Sequence, residues 1–191
     1  MELQLLRDKV RSMMKESRYR HMLGTEAVAY DLALIYGYDT EKASIAGILH
    51  DCAKCLSDRE LLKECDRYEL PVTEVEKQKA SLLHAKVGAA YAKDKFGITD
   101  EDIINSIWYH TTGRPGMSLL EKIIYTADYI EPCRELLPDI DRIRRAAYND
   151  LDRAVTMITK NILDYLTNTG ERIDTRTLET YKYYKAVLQK K

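Results

Sequence analysis

The sequence predicts an all-α protein built as an irregular helical bundle. Glycine (8 residues) and proline (4) are scarce in this chain of 191 residues, at about half of their usual share. Apolar residues recur at helical spacing, and no stretch shows the clean alternation with a period of two that indicates a half-buried strand. A helical chain of this length can bury a sizeable core without disulfides.

Ten helices are predicted from apolar periodicity and from the residues that bound it. They cover, in chain order, about 3–14, 17–37, 40–54, 57–70, 81–96, 99–110, 118–132, 139–148, 150–169 and 175–190. Ser17 and Thr99 are predicted to open the second and sixth helices, because side-chain oxygens there can accept backbone N–H bonds. Asp39 or Thr40 is predicted to open the third helix by the same chemistry.

Further signals mark other helix ends. Ser118 and Glu121 form a capping-box pattern at the start of the seventh predicted helix. Gly37 and Gly170 are predicted to end the second and ninth helices, because glycine accepts the left-handed conformation found at helix C-termini. The segment TTGRPGM, residues 111–117, is the clearest loop in the chain.

Charge and hydropathy exclude several classes of partner. The chain has 30 Lys and Arg against 31 Asp and Glu, so no overall basic field indicates a nucleic-acid or anionic-membrane partner. No apolar run reaches the roughly 18 residues of a membrane span, and the first residues lack a secretory signal. We therefore expect a cytoplasmic protein that binds neither nucleic acid nor membrane.

The four histidines of the chain are the main candidates for chemistry. Each lies on, or at the end of, a different predicted helix: His21, His50, His84 and His110. Asp51 follows His50 directly, and Asp128 interrupts an apolar helix, where a carboxylate is unfavourable unless it is paired or coordinated. Imidazole and carboxylate both bind first-row metals. The residues alone leave two interpretations open, a shared metal site or four unrelated histidines.

The motifs around these residues narrow the choice. His21, the pair His50–Asp51 and Asp128 resemble the H…HD…D signature of the HD-domain metal-dependent phosphohydrolases. The resemblance to the bacterial YqeK family runs from about residue 18 to 184, in the segments RYRHMLGT, GILHDCAK, HAKVGA, IWYHTTGRPGMSLLEKIIYTADYIEP and RTLETYKYY. Where that family usually has HDIAK, this chain has HDCAK, and Cys52 is a small replacement that leaves the ligands unchanged.

The resemblance implies a fold and an activity. It implies a single HD domain over residues 1–191, an irregular helical bundle with a metal-binding core at about 17–135. The C-terminal helices, at about 139–190, complete the bundle and the nucleotide pocket. The implied reaction is symmetrical cleavage of diadenosine tetraphosphate to two ADP by a metal-bound hydroxide. The implied cofactor is iron, as one or two ions, although the N/O ligand set would also suit manganese, cobalt, nickel or zinc.

The resemblance also implies roles for the site residues. Four residues are the implied ligands of the first metal: His21, His50, Asp51 and Asp128. Asp51 is placed to bridge two ions if a second one binds. His84 and His110 resemble residues that hold a second metal or position phosphate in HD subgroups, and both roles stay open. The expected catalytic residues are Asp51, Lys54, His84 and His110.

Basic and polar residues near these ligands are candidates to bind phosphate, because cationic and N–H groups neutralise its charge. The candidates are Arg20, Lys54, Thr111, Thr112, Gly113, Arg114 and Arg134. Each of them could instead have an ordinary role on the surface or in a turn. The C-terminal segment is expected to supply nucleoside contacts through Gly170, Arg172, Thr175, Arg176 and Tyr181. The predicted substrate contacts also include His21, His84, His110 and Asp128.

Some alternatives stay open at the level of the sequence. The same metal site could serve another phosphohydrolase, acting on a nucleoside mono-, di- or triphosphate or on a guanosine alarmone. A non-catalytic nucleotide sensor is a third possibility, which the intact ligand set disfavours. Packing inside the protein or a homodimer face would each explain a group of apolar residues, namely Leu136, Leu137, Ile140 and Ile143. The CxxC at Cys52 and Cys55 lacks the second pair that a zinc site needs, so we expect ordinary thiols.

Overall fold

A computed structural model describes residues 3–134 and 137–190, and its regular secondary structure is helical throughout these ranges. This confirms the all-α prediction. The described ranges contain eleven α-helices, which are α1 (Leu3–Met13), α2 (Glu16–Tyr36), α3 (Thr40–Leu49), α4 (Asp58–Arg67), α5 (Glu74–Gln78), α6 (His84–Asp94), α7 (Glu101–Tyr109), α8 (Leu119–Ile130), α9 (Ile140–Ala147), α10 (Leu151–Thr169) and α11 (Thr175–Gln189). A 3₁₀ turn, Ala80–Leu83, leads directly into α6.

The long helix α2 occupies the centre of the bundle, where it packs against α3 and α8. Helix α7 contacts α3, α6 and α8, and α10 joins α8 to α9 and α11. The interfaces bury apolar side chains such as Leu32, Ile48, Ile107 and Ile123, which have no exposed surface. The helices that carry the predicted metal ligands are therefore neighbours in the bundle.

Several helix ends are confirmed where the sequence predicts them. The Asp39 carboxylate accepts the backbone N–H groups of residues 41 and 42 and so caps α3. Ser118 and Glu121 form the predicted capping box of α8. Gly37 and Gly170 follow α2 and α10 with φ angles of 68° and 69°, a conformation that glycine adopts without strain. These ends depend on local chemistry, which the sequence displays directly.

Two predicted caps are wrong by one or two positions. Helix α2 begins at Glu16, so Ser17 lies inside its first turn. The negative charge of Glu16 stabilises this end of the helix by its interaction with the helix dipole. Helix α7 is capped by Asp100 rather than opened by Thr99, because the Asp100 carboxylate accepts two backbone N–H bonds. A carboxylate is at least as good a cap as a threonine hydroxyl, so Asp100 rather than Thr99 sets the start of α7.

The chain around α3 and α6 departs from regular helix more than predicted. Helix α3 ends at Leu49 instead of continuing to 54, and residues 50–55 form a tight turn. Residues 80–83 are 3₁₀, so α6 begins at His84 rather than at 81. No helix is predicted over 71–80, yet α5 is there, because five residues are too few to show a periodic pattern. The sign of α5 in the sequence is the capping box of Thr73 and Glu76.

The apolar residues after α8 pack inside the protein where the structure describes them. Ile140 is 7% exposed and Ile143 is fully buried, and Leu137 packs partly buried against the core. Leu136 and the predicted boundary near residue 135 lie outside the described residues. Internal packing therefore accounts for the described members of this group, and a homodimer stays a prediction.

A membrane span requires a long and continuously apolar helix. Within residues 3–134 and 137–190, no helix has the length and apolar character needed to cross a membrane.

Candidate metal centre

The four histidines converge in the interior of the bundle. His21 lies on α2, His50 directly follows α3, His84 is the first residue of α6, and His110 directly follows α7. All four are at most 7% exposed. The Nε2 atoms of His21 and His50 are 3.2 Å apart, and those of His84 and His110 are 3.1 Å apart. The fold thus sorts the rings into two adjoining pairs, which we call the histidine cluster.

Asp51 lies between the two pairs, with one carboxylate oxygen facing each. Its Oδ2 is 3.7 Å from the Nε2 of His21 and 3.6 Å from that of His50. Its Oδ1 is 3.1 Å from the Nε2 of His84 and 3.5 Å from that of His110. The two oxygens of one side chain can therefore contribute to two adjoining cation positions.

Asp128 on α8 completes the first position. Its Oδ1 lies 3.1 Å from the Nε2 of His21 and 3.7 Å from the Nε2 of His50. Because α8 packs against both α2 and α3 in the bundle, this carboxylate reaches the rings of His21 and His50. The first position combines two imidazoles with two carboxylates, and the second combines the other two imidazoles with Asp51.

The hydrogen bonds behind the rings fix which nitrogen faces the centre. His50, His84 and His110 each donate from Nδ1 to the backbone carbonyl three residues earlier, at 2.8 Å for His50 and 2.7 Å for His110. A carbonyl only accepts, so the proton resides on Nδ1 and the Nε2 lone pair of a neutral ring faces the cluster. The Nε2 lone pairs of these three rings thus lie beside carboxylate oxygens, an arrangement that fits a divalent metal.

Burial and the contacts between the rings and the carboxylates together set the protonation of the cluster. Burial lowers the pKa of His50 to about 4 and also lowers the pKa of His84. Burial alone would raise the pKa of Asp51, but its interactions with the surrounding histidines hold that pKa well below the usual range. Burial would also raise the pKa of Asp128, but its hydrogen bond with His21 and its attraction to His50 and His110 together lower that pKa. Burial would lower the pKa of His21, but its contacts with Asp128 and Glu131 raise it. The neutral rings of His50 and His84 beside ionised carboxylates are the protonation states that metal ligands require.

Three cationic side chains border the histidine cluster. Arg18 donates from Nη1 to Asp51 Oδ2 at 2.8 Å, and Arg134 donates from Nη2 to Asp128 Oδ1 at 3.1 Å. The Lys54 ammonium lies 3.2 Å from His84 Nδ1. The Arg18 and Arg134 side chains keep 35% and 38% of their surface exposed. A ligand that reaches the cluster from solvent therefore meets positive charge at its edge.

Comparison with known proteins shows the family to which the chain belongs. A profile of the HD domain family matches residues 18–133. A protein of Halalkalibacterium halodurans named symmetrical bis(5′-nucleosyl)-tetraphosphatase is 41% identical, over 90% of this chain and 91% of its own. A protein of Bacillus subtilis with the same name is 40% identical, over 91% and 92% of the two chains. The chain belongs to the YqeK family of HD-domain proteins. The resemblance that the motifs indicate is thereby confirmed.

The fold agrees with a crystal structure from the same superfamily. The structure, from Clostridium acetobutylicum, is described as a "predicted HD superfamily hydrolase involved in NAD metabolism". It superimposes on this YqeK-family chain with a TM-score of 0.94 at 40% identity, covering 100% of this chain and 99% of the other. The HD-domain profile spans all four histidines and both aspartates of the candidate metal centre.

The basic candidates predicted from the sequence divide into two groups. Lys54 and Arg134 lie at the cluster, as described above. Arg20 is exposed, because on α2 it is rotated by about 100° from its neighbour His21, whereas Arg18, one turn earlier, shares the face of His21. The Arg114 guanidinium pairs with the buried Glu121 at 2.7 Å and so connects the loop to α8. Arg18 is the basic residue that the sequence analysis missed.

The loop after His110 is held by α11. The Thr180 hydroxyl donates to the Thr112 carbonyl at 3.1 Å, and the Thr112 hydroxyl donates to the Gly113 carbonyl at 3.0 Å. A Cβ at Gly113 would lie 2.8 Å from Thr180 Cγ2, and its φ of 61° also favours glycine. Thr111, beside His110, is half-buried. The Thr112 carbonyl thus joins the loop to the C-terminal helix, and its hydroxyl bonds within the loop.

Most of the C-terminal residues predicted to bind the nucleoside make no contact with the histidine cluster. The Arg176 guanidinium lies 5.4 Å from the centre of the Tyr109 ring, next to His110 in the chain. The ring of Tyr181 instead contacts the Lys185 ammonium at 5.7 Å. Four of the predicted residues make no hydrogen bond, ion pair or ring contact with the cluster in the described part of the chain: Gly170, Arg172, Thr175 and Tyr181.

Glu131 is a site residue to which the sequence analysis gives no role. It follows α8 directly and is only 1% exposed. Its Oε1 lies 3.0 Å from Nδ1 of His21, on the side of the ring away from the cluster. The feature of the sequence that could have indicated Glu131 is its place in ADYIEP, one of the segments that carry the family resemblance.

The CxxC segment takes no part in the site. Cys52 is buried and donates weakly to the Gly88 carbonyl at 3.5 Å, while Cys55 is exposed, and both are free thiols. Among the described residues, the groups that could hold a metal ion consist of histidine and aspartate alone.

Proposed function

We infer that this protein is a metal-dependent hydrolase that cleaves diadenosine tetraphosphate symmetrically into two molecules of ADP. The observation that carries the inference is the position of Asp51 between two pairs of Nε2 atoms. Such an arrangement suits the metal-assisted hydrolysis of phosphate esters and anhydrides. The choice of substrate is supported by relatives of nearly equal length, which are named symmetrical bis(5′-nucleosyl)-tetraphosphatases.

We propose that the first metal is held by His21, His50, Asp51 and Asp128, and that a second is held by His84, His110 and Asp51. Iron is the proposed metal, in one or two ions. The mixed nitrogen and oxygen donors suit iron, and would also suit manganese, cobalt, nickel or zinc. A divalent metal in such a site supplies Lewis acidity, which lowers the pKa of water and polarises phosphoryl oxygens.

Arg18, Lys54 and Arg134 are proposed to bind the polyphosphate chain. Each is already at the edge of the histidine cluster, through Asp51, His84 and Asp128 respectively. Guanidinium groups bind phosphate oxygens in pairs of parallel hydrogen bonds, and an ammonium group acts as a point charge. These three cations would neutralise the charge that develops on the attacked phosphate and on the leaving ADP.

The proposed reaction consumes one water for each pair of ADP molecules. The water oxygen forms a bond to one β-phosphorus, and the bond from that phosphorus to the central bridging oxygen breaks. The departing ADP retains the electron pair of the broken bond, and the two products together take up the hydrogens of the water. Asp51, Lys54, His84 and His110 are the residues proposed to take part in catalysis.

The proposed compartment is the cytoplasm. Cys52, Cys55 and Cys65 form no disulfide in the described part of the chain, as is usual for proteins of a reducing compartment. A nucleotide substrate also suits this location.

Product analysis tests the proposed function. Metal-loaded protein is incubated with diadenosine tetraphosphate in ¹⁸O-labelled water, and the products are separated by chromatography and weighed by mass spectrometry. We expect ADP alone, with one label for every two ADP molecules, and no turnover by Asp51→Asn. Asp141→Asn, on the surface of α9, is the control and should behave as wild type. Formation of AMP with ATP, or an absence of turnover by metal-loaded wild type, would contradict the proposal.

A further inference from the structure

One of the four cluster histidines is held differently from the other three. His50, His84 and His110 donate from Nδ1 to neutral backbone carbonyls of their own helical segments. His21 instead has a carboxylate behind it, with Nδ1 at 3.0 Å from Glu131 Oε1. Glu131 is 1% exposed, so solvent screens this contact little.

The Glu131 side chain is fixed on both of its oxygens. Oε2 accepts the backbone N–H of Cys133 at 2.7 Å, and Oε1 lies 3.9 Å from Arg134 Nε as well as against His21. The Glu131 backbone carbonyl accepts from Arg144 Nη2 at 3.3 Å. Glu131 is also three residues after Asp128, so one short segment carries a proposed metal ligand and the carboxylate that faces another.

Gly24 on α2 makes room for this carboxylate. A Cβ at Gly24 would lie 2.6 Å from Glu131 Oε2, a distance that real Cβ atoms do not show. Glycine in the interior of a helix is less stable than alanine by about 1 kcal/mol. Gly24 lies one turn after His21 on the same face of α2, where the close approach of Glu131 explains the absence of a side chain.

We propose that Glu131 is a positioning residue for His21, and that Gly24 provides the space it needs. The inference rests on the proposed metal site. By accepting from Nδ1, Glu131 holds the His21 ring in the tautomer that directs the Nε2 lone pair at the cluster. A carboxylate behind a histidine ligand also makes its ring a stronger donor than a carbonyl does. The first metal position therefore binds its ion more tightly than the second, which has only carbonyls behind its rings and the Lys54 ammonium beside them.

Metal binding by Glu131 variants tests the proposal without relying on hydrolysis. Co²⁺ is titrated into metal-free wild type, Glu131→Gln and Glu131→Ala, and binding is followed through the visible absorption of the ion. We expect Glu131→Ala to bind the more tightly held of the two Co²⁺ ions about 10- to 100-fold more weakly than wild type does. The affinity of Glu131→Gln should lie between those of Glu131→Ala and wild type. Affinities within twofold of wild type for both variants would overturn the proposal.

Glu121→Gln is the matched control. Glu121 lies on the same α8 segment and is also 1% exposed, but it pairs with Arg114 and with the cap of α8. Its replacement is expected to lower the melting temperature while leaving the Co²⁺ affinity within twofold of wild type. An equal loss of affinity in Glu121→Gln would show that loss of any buried charge weakens binding, which would overturn the specific role of Glu131.

A double-mutant cycle tests the steric part of the proposal. Gly24→Ala should displace the carboxylate and weaken Co²⁺ binding about 10-fold. In the Glu131→Ala background the same substitution meets only Cβ, at 3.5 Å, and should cause no further loss. Equal losses in both backgrounds would contradict the proposed contact.

A measurement on metal-free protein separates this inference from the proposed function. At alkaline pH, where the ring is neutral, ¹⁵N spectra of labelled histidine should show His21 protonated on Nδ1 in wild type. In Glu131→Ala the two tautomers should mix. If wild type fails to bind Co²⁺, the proposed metal site is wrong, whereas an unchanged His21 tautomer in Glu131→Ala would refute the role of Glu131 itself.

Discussion

At the scale of single residues, the turn after α3 determines how Asp51 is presented to the cluster. Helix α3 ends at Leu49, and the backbone N–H of Cys52 bonds the Leu49 carbonyl at 3.0 Å to tighten the chain. His50 and Asp51 therefore both lie in the turn that follows α3, and both side chains point from this turn into the interior. Because both side chains are buried, they have little freedom to move, and the Asp51 carboxylate is held between the two pairs of Nε2 atoms.

Arg18 and Arg20 allow a matched test of phosphate binding. Arg18 contacts Asp51 at the edge of the cluster, whereas Arg20 is exposed. We predict that Arg18→Ala lowers kcat/KM for diadenosine tetraphosphate about 10- to 100-fold, since a hydrogen bond to a charged group contributes about 1.5–3 kcal/mol. Arg20→Ala should stay within twofold of wild type. Steady-state kinetics of the two variants provide the comparison, and equal effects would show that general surface charge, not the contact at Asp51, controls binding.

The sequence predicted the residues of the cluster better than the residues behind it. His21, His50, Asp51 and Asp128 form a motif whose residue types reveal their chemistry. Arg18 could have been found from helical phase, because it precedes His21 by one turn. The place of Glu131 in ADYIEP indicates that it belongs to the site but not what it does, since a glutamate at the end of a helix is common and only the folded chain brings it to His21.

At the scale of secondary structure, the short helix α5 is attached to the bundle by a buried ion pair. The Lys86 ammonium, 3% exposed as a residue, donates to Glu76 Oε2 at 2.7 Å and to the Pro71 carbonyl at 2.6 Å. Glu76 is also the partner of Thr73 in the capping box of α5. The Glu76 carboxylate thus caps the start of α5 and also joins α5 to α6. It does so through Lys86, two residues beyond His84.

Glu76→Gln should reveal this attachment. Glutamine can still complete a capping box, but the buried Lys86 charge would lose its counter-ion, so we predict a loss of about 3 kcal/mol in the free energy of unfolding. Glu74→Gln is the control, because the Glu74 side chain is 78% exposed in its pair with Lys77 and should contribute less than about 1 kcal/mol. Chemical denaturation measures both, and similar losses would contradict the buried pair.

Local signals predicted the helices whose ends are set by capping chemistry, as at Asp39, Ser118 and Gly170. They failed where tertiary contacts determine the conformation. The turn that ends α3 and the 3₁₀ segment before α6 both deliver cluster histidines, and nothing in their helix propensity requires a break. Helix α5 needs the buried Lys86 pair, which is formed only when α6 packs in place.

At the scale of the whole molecule, the bundle concentrates unshared lone pairs at its centre. Four Nε2 atoms and two carboxylates meet there, and Arg18 and Arg134 donate to the carboxylates at the edge of the cluster. Buried acceptors without donors destabilise a fold, and a bound cation removes that penalty. Metal binding and folding of the bundle should therefore be coupled.

Removal of metal should lower the stability of the protein. At a metal concentration 100 times the dissociation constant, binding stabilises the native state by about 2.7 kcal/mol. For a chain of this length that corresponds to about 5–10 °C in Tm. Thermal unfolding with added Mn²⁺ and with a chelator measures the difference. Asp51→Asn, which lacks the carboxylate proposed to bridge two metals, should show a much smaller shift, and a shift as large as that of wild type would place the stabilising metal elsewhere.

The most direct test of the metal centre is anomalous X-ray scattering from crystals of the protein grown with Mn²⁺. We predict a strong anomalous peak in contact with the Nε2 atoms of His21 and His50 and with carboxylate oxygens of Asp51 and Asp128. A second peak is expected between Asp51 and the Nε2 atoms of His84 and His110. No peak within the histidine cluster, or a metal bound only by other residues, would contradict the account.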